Sequence, residues 1–219
     1  MKLSNRCFAV LLSLVAGLAT FNAQASDGQM YSVTVTNLTR GETFTPIMVA
    51  THRPGVRIFQ LGEAASEELV AIAESGNITP LSDMLLNSGK ALDVATNGGL
   101  LAPGESTTIM VKTKGGFRHI SLAGMLIPTN DGFIALNGVR GPKHGSRMLM
   151  SPTYDAGSET NDEMCANIPG PICMGAALSP NDMGEGYVHV HGGIHGDADL
   201  DDAVYDWRNP TAKIVIKRM

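Results

Sequence analysis

Residues 128–162 read PTNDGFIALNGVRGPKHGSRMLMSPTYDAGSETND. Two apolar runs of strand length, Gly132–Val139 and Arg147–Met150, are set between turn-forming clusters. Side-chain oxygens gather at the ends of these runs, first at Asn130 and Asp131, then at Asp155, Ser158, Glu159, Asn161 and Asp162 around Gly157. Short strands with oxygen-rich loops at their ends are what a β-sandwich carrying a hard cation would need.

Outward from this stretch the same grammar repeats. MYSVTVTN (Met30–Asn37) alternates apolar and polar residues with β-branched enrichment, which predicts a half-buried first strand. Thr45–Thr51, Val56–Leu61, Ser106–Lys112, His119–Pro128, Gly186–His191 and Ala212–Arg218 read as further strands, separated by glycine and proline turns. Only two segments change period. Ser66–Glu74 opens on a capping serine with Glu67 and Glu68 in its first turn and stops at Gly76, while Thr79–Leu86 carries proline at its first helical position. The expectation is an all-β, antiparallel sandwich with two short helices inserted between strands.

The chain ends bound the rest. Residues 1–25 place Lys2 and Arg6 before an apolar run and finish in Ala23-Gln24-Ala25, the pattern of a cleaved secretory signal peptide. That leaves a mature product of residues 26–219, one domain in size, either secreted or periplasmic. No later run approaches the roughly 20 apolar residues of a membrane helix, so no integral membrane segment is expected. A net charge of −5 argues against a nucleic-acid partner. Cys165 and Cys173 remain as an even pair after cleavage, and the prolines and glycine between them allow a local turn, so a disulfide is expected.

Calcium takes six to eight oxygen ligands, which loops at one end of a sandwich can supply together. The spacing is not that of an EF-hand. The plainer alternative is that these acidic residues cap turns and face water.

PTNDGFIALNGV and YDAGSETNDE resemble the PSPDWFVGV-type and YDAGTDSG segments of the spondin domain, the amino-terminal module of F-spondin and mindin. The likeness extends to VATH at Val49–His52, an LxxxAExG-like Leu69–Gly76, and the closing PTAKIVIKR. In form the chain resembles the stand-alone exported bacterial members of that family. The resemblance implies a C2-like β-sandwich holding calcium between loops and serving cell-surface or matrix adhesion through a surface protein or glycan, without catalysis. It implies Asp131, Asp155 and Glu159 as ligands, with Asp162 as a further one. Two positions depart from it: Gly132 stands where the animal proteins have tryptophan, and Glu159 where they have aspartate.

A second constellation lies in GYVHVHGGIH. On a strand of period two His189 and His191 share a face, and the Gly192-Gly193 turn could return His195 toward them, a set suited to zinc or copper in a metalloenzyme or metal-handling protein. Polar-face residues bonded to neighbouring loops are the plainer alternative, and the resemblance lends the histidines no support. The acidic GDADLDD (Gly196–Asp202) reads as a solvated loop, with a weak second cation site as the alternative, Trp207 as a core anchor, and Met110, Met125, Met148 and Met150 as core filling. No G-x-S-x-G, H-E-x-x-H or phosphate-cradling glycine loop occurs.

Overall fold

A computed structural model describes residues 29–179 and 183–219. The segment read as a signal peptide lies outside the described residues. In order the elements are β1 (Met30–Asn37), β2 (Thr43–Phe44), β3 (Met48–His52), α1 (Glu67–Ser75), α2 (Thr79–Asn87), β4 (Ala91–Thr96), β5 (Ser106–Lys112), β6 (His119–Ile127), β7 (Gly132–Arg140), β8 (Ser146–Ser151), β9 (Thr153–Asp155), β10 (His189–Val190), α3 (Asp202–Tyr205) and β11 (Ala212–Arg218).

The alternation in β1 does what a period of two requires. Tyr31, Val33 and Val35 are buried while Ser32, Thr34 and Thr36 turn outward. β1 lies between β5 and β11 in a four-stranded antiparallel sheet ordered β5-β1-β11-β8. Its inner face meets a second antiparallel sheet ordered β10-β9-β7-β6-β3-β4, with β2 paired to β6. Val33, Val35, Ile109, Val111, Ile214 and Ile216 close on Val49, Ile120, Leu122, Ile134 and Leu136 between the sheets. Each such side chain contributes about 1.5–3 kcal/mol when fully buried. The chain is therefore an antiparallel β-sandwich.

The larger sheet is covered on both faces, and its strands show it by losing their alternation. β3 is buried at every residue and β6 at all but its first. Met48, Ala50 and Ala123, on the outer face, pack under Ile72, Leu81 and Leu85 of the helices. Phe133 and Ala135 meet Leu69 and Ala73. The helices stand between β3 and β4, which pair antiparallel, so they form an insertion and no parallel crossover. Ser66 caps α1 as expected, its side chain accepting the Leu69 N–H at 3.3 Å.

Three expectations are corrected. Val56–Leu61 is an irregular segment, because Asn137 holds it in place of a neighbouring strand: Ile58 N–H donates to Asn137 Oδ1 at 2.9 Å, and Asn137 Nδ2 donates to Phe59 O at 2.6 Å. The strand expected over Gly186–His191 shortens to His189–Val190. Met110, Met148 and Met150 are exposed on the outer face of the smaller sheet, Met148 by 62 %, whereas Met125 and Trp207 are buried. Cys165 and Cys173 form the expected disulfide, which closes the loop that follows β9.

β6 and β7 run the length of the sandwich and so define its two ends. At one, Met125 registers with Phe133 beside the β6–β7 turn; at the other, His119 registers with Arg140.

Candidate metal centre

The turn from β6 to β7 delivers Asp131. Thr129 Oγ1 donates to Leu126 O at 2.7 Å and accepts the Gly132 N–H at 3.0 Å. A Cβ on Gly132 would lie 2.7 Å from that hydroxyl oxygen, which accounts for glycine where the resembled segment carries tryptophan. Asp131 is fully buried. Its Oδ2 accepts the Ser158 N–H at 2.8 Å, the Ser158 hydroxyl at 3.1 Å and the Glu159 N–H at 3.1 Å. Its Oδ1 is buried and meets no hydrogen-bond donor among the described residues. Burial, and next the charge of Asp155, push the Asp131 acid up to about 7 against the pull of those three bonds.

Asp155 ends β9 opposite Gly132 and is also fully buried. Its Oδ1 accepts the Gly157 N–H at 2.7 Å and its Oδ2 accepts Asn161 Nδ2 at 2.7 Å. Gly157 sits at φ +67, and a Cβ there would overlap the Tyr187 carbonyl. Glu159, buried, follows in the same loop. Asp162 is spent on holding that loop: it accepts Asn130 Nδ2 at 3.0 Å, the Met164 N–H at 2.9 Å and Asn167 Nδ2.

His189, His191 and His195 divide between two acidic clusters. His189 Nε2 lies 3.5 Å from Asp155 Oδ1 and 3.5 Å from Glu185 Oε2, and His191 Nε2 lies 3.9 Å from Asp155 Oδ2. His195 instead approaches Glu163 at 4.0 Å. Among the described residues, the His and carboxylate groups whose ligand atoms come within 4.8 Å of one another in threes are Asp155–Glu185–His189 and Glu163–His195–Asp197. Asp131, Asp155 and Glu159 do not make such a trio, although they line one loop end.

Hydrogen bonds assign the tautomers. His189 Nδ1 faces the Val190 carbonyl at 3.1 Å, so Nδ1 carries a proton, and Nε2 faces two carboxylates. Although burial opposes it, that carbonyl and the charges of Asp155 and Glu185 raise the His189 pKa above 6.5. His191 Nδ1 accepts the Gly193 N–H at 3.0 Å, so the neutral ring keeps its proton on Nε2. Burial lowers the His191 pKa against the pull of Asp155, and the ring packs 5.1 Å from Trp207.

Two acidic residues matter that the sequence did not single out. Glu185 completes the His189 cluster. Glu163, buried, accepts the N–H groups of His195, Gly196 and Asp197 at 2.6, 2.8 and 2.9 Å and so fixes the start of the acidic GDADLDD loop. Glu163 acts on a segment some thirty residues away in sequence, and Glu185, four residues before His189, gains its place because β10 pairs His189 with Asp155.

Comparison with known families adds one finding. The family model described as Spondin_N matches residues 31–156, more than half of the chain. The match runs from β1 through β9 and stops one residue after Asp155, short of the histidines and of β11. No curated protein sequence matches the chain.

Proposed function

The chain belongs to the spondin N-terminal family, and from that premise we propose an exported, non-catalytic recognition module whose acidic loop end is held by a calcium ion. The disulfide suits an oxidising compartment, and no helix among the described residues is long and apolar enough to cross a membrane. One observation carries the calcium reading: Asp131 is fully buried, its Oδ1 has no donor among the described residues, and its acid is pushed up to about 7. At neutral pH a carboxylate so placed holds a proton or a cation. The carboxylate oxygens of Asp131, Glu159 and Asp155 suit a hard cation. Asp131 Oδ1 and Glu159 would hold it with Asp155 alongside, while Asp162 keeps its role as loop clasp. Calcium supplies positive charge there, and the chain's own bonds from Ser158 and Glu159 to Asp131 fix the loop shape that a surface protein or glycan meets.

Thermal melts of the mature protein in calcium, magnesium and EDTA test this. A ligand at a hundred times its Kd stabilises by about 2.7 kcal/mol, which for a chain of this size is a shift of roughly 5–10 °C. Calcium is expected to give that shift in the wild type and none in Asp131→Asn. A wild-type melt indifferent to calcium and EDTA would remove the reading.

A second reading, a zinc or copper centre, is favoured by the spacing at His189. Ligand atoms about 2.1 Å from a tetrahedral zinc lie about 3.4 Å apart, and His189 Nε2 stands 3.5 Å from an oxygen of both Asp155 and Glu185. The ligand set is then His189, Asp155 and Glu185. His191 would serve as a neighbour whose Nε2 bears a proton, and His195 belongs to the Glu163 loop. Elemental analysis of protein purified without chelator separates the readings: zinc that disappears in His189→Gln supports this one, and calcium alone excludes it.

A further inference from the structure

The cations of this acidic protein are gathered at the end opposite Asp131. All lysines and arginines at described residues lie there except Arg40, Arg208 and Lys213. The pairings enforce it. His52 registers with His119, His119 with Arg140, and Tyr31 with Arg218, so the ends of β3, β6, β7 and β11 come out together. Arg53 N–H donates to Lys90 O at 2.9 Å, Gly141 N–H to Arg118 O at 2.8 Å, and Thr51 Oγ1 to Lys112 O at 2.6 Å. These bonds tie three loops, 53–57, 113–118 and 140–147, into one surface. β7 joins Asp131 to Arg140 across about 30 Å of strand, so the molecule is a charge dipole along its length.

Three further observations describe how this charge is held, at an end where one carboxylate, Asp93, accepts the Lys112 N–H. Among the described residues the Lys or Arg to carboxylate ion pair is Arg208–Asp206, which lies outside this end. The His119 pKa is lowered by burial and then by the charges of Arg140, Arg57 and Arg118, and His119 registers directly with Arg140. Arg53 is held in place over the Phe117 ring at 4.4 Å, and a groove of about 220 Å³ opens between Arg57 and Lys90.

We propose that this end binds an acidic polysaccharide, with sulfate or phosphate groups spaced along the chain spanning the 53–57, 113–118 and 140–147 loops. Arginine dominates the surface, and its planar fork matches tetrahedral oxyanions. A polymer is preferred because the cations are spread over three loops and do not line one closed pocket. A bilayer is disfavoured because none of those loops carries an exposed large hydrophobic side chain to enter it. The inference rests on the recognition reading of the protein and supplies its partner class, but it does not need the calcium.

Heparin serves as the probe, titrated by calorimetry into the mature protein, with neutral dextran and phosphatidylglycerol vesicles in parallel. Heparin is expected to bind, dextran not, and the affinity is expected to fall about tenfold or more from roughly 50 to 300 mM salt. The double variant Arg140→Glu with Lys143→Glu should weaken binding by at least about tenfold at low salt while keeping the wild-type melt; Lys213→Glu, on the far side, should not. Arg57→Glu gives a second variant should the first fail to fold. Binding that persists in EDTA supports the proposal even if the calcium reading fails. No heparin binding at low salt, binding unchanged by both charge reversals, or vesicles bound more tightly than heparin would overturn it.

Discussion

Asp131 and Asp155 are two buried carboxylates on adjacent strands: Asp155 registers with Gly132, and the Asp131 carbonyl accepts the Ala156 N–H at 3.2 Å. The charge of Asp155 is one cause, after burial, of the raised pKa of Asp131. Asp155 is compensated by Gly157, Asn161 and two imidazoles, whereas one oxygen of Asp131 is left bare. The pair is thus asymmetric. One carboxylate has hydrogen-bond donors on both oxygens, and the other has an oxygen open to a proton or a metal.

That asymmetry predicts a pH dependence with a definite sign. The Asp131 pKa rises from 3.8 to about 7 on folding, so between those values the folded chain binds more protons than the unfolded chain. Stability in EDTA therefore falls as pH rises through this window, by up to about 1.4 kcal/mol per unit, and levels off above it. Melts from pH 4 to 8 in EDTA should show the decline in the wild type and a flatter profile in Asp131→Asn. Saturating calcium should remove the decline, because the ion replaces the proton. An equal slope in both proteins would mean that other groups dominate.

Gly157→Ala tests the loop that joins the two carboxylates to the histidines. The residue sits at φ +67, and a Cβ would meet the Tyr187 backbone, where Gly186 N–H donates to Gly157 O at 2.8 Å. Strain and overlap together should lower stability by about 1–3 kcal/mol. Displacing this contact should also move His189, two residues beyond Tyr187, away from Asp155. The His189 pKa, followed by NMR, should then drop toward 6.5 along with the thermal midpoint. A lower midpoint with an unmoved His189 titration would confine the effect to the backbone.

How much of this was legible in the sequence depends on which surfaces each residue faces. β1, β5 and β11 were readable end to end because one side of the smaller sheet is solvated, which imposes a strict period of two. Val56–Leu61 misled because its apolar residues pack on the helices and the Phe133–Tyr154 aromatic group, a burial that periodicity cannot distinguish from a strand. β4 was missed because ALDVAT is half-buried along its length and carries Asp93, whose Oδ2 accepts the Lys112 N–H at 2.7 Å. The three exposed methionines fit strand periodicity while facing outward, since hydrophobicity alone does not say which sheet face is wet. At the site, Asp131, Asp155 and Glu159 stood out as oxygen donors at strand ends. The different role of Asp162, the separation of His195 from His189, and the parts played by Glu163 and Glu185 all depend on loops meeting after the chain folds.

Glu42 supplies a last test, remote from the acidic loops. It is fully buried at the turn before β2, where Asn37 Nδ2 donates to its backbone carbonyl at 2.7 Å, and neither carboxylate oxygen has a hydrogen-bond partner among the described residues. Burial raises its pKa well above 4.5. The folded chain therefore holds this proton over a pH range in which the unfolded chain releases it, and stability is lost as pH rises above 4.5 until the folded group ionises. Glu42→Met keeps the volume and removes the titration. The variant should melt above the wild type at pH 7 by a margin that shrinks toward pH 4, where both side chains are neutral. A lower midpoint for the variant at both pH values would show that the Glu42 carboxylate is satisfied in solution, by bound water or by a cation.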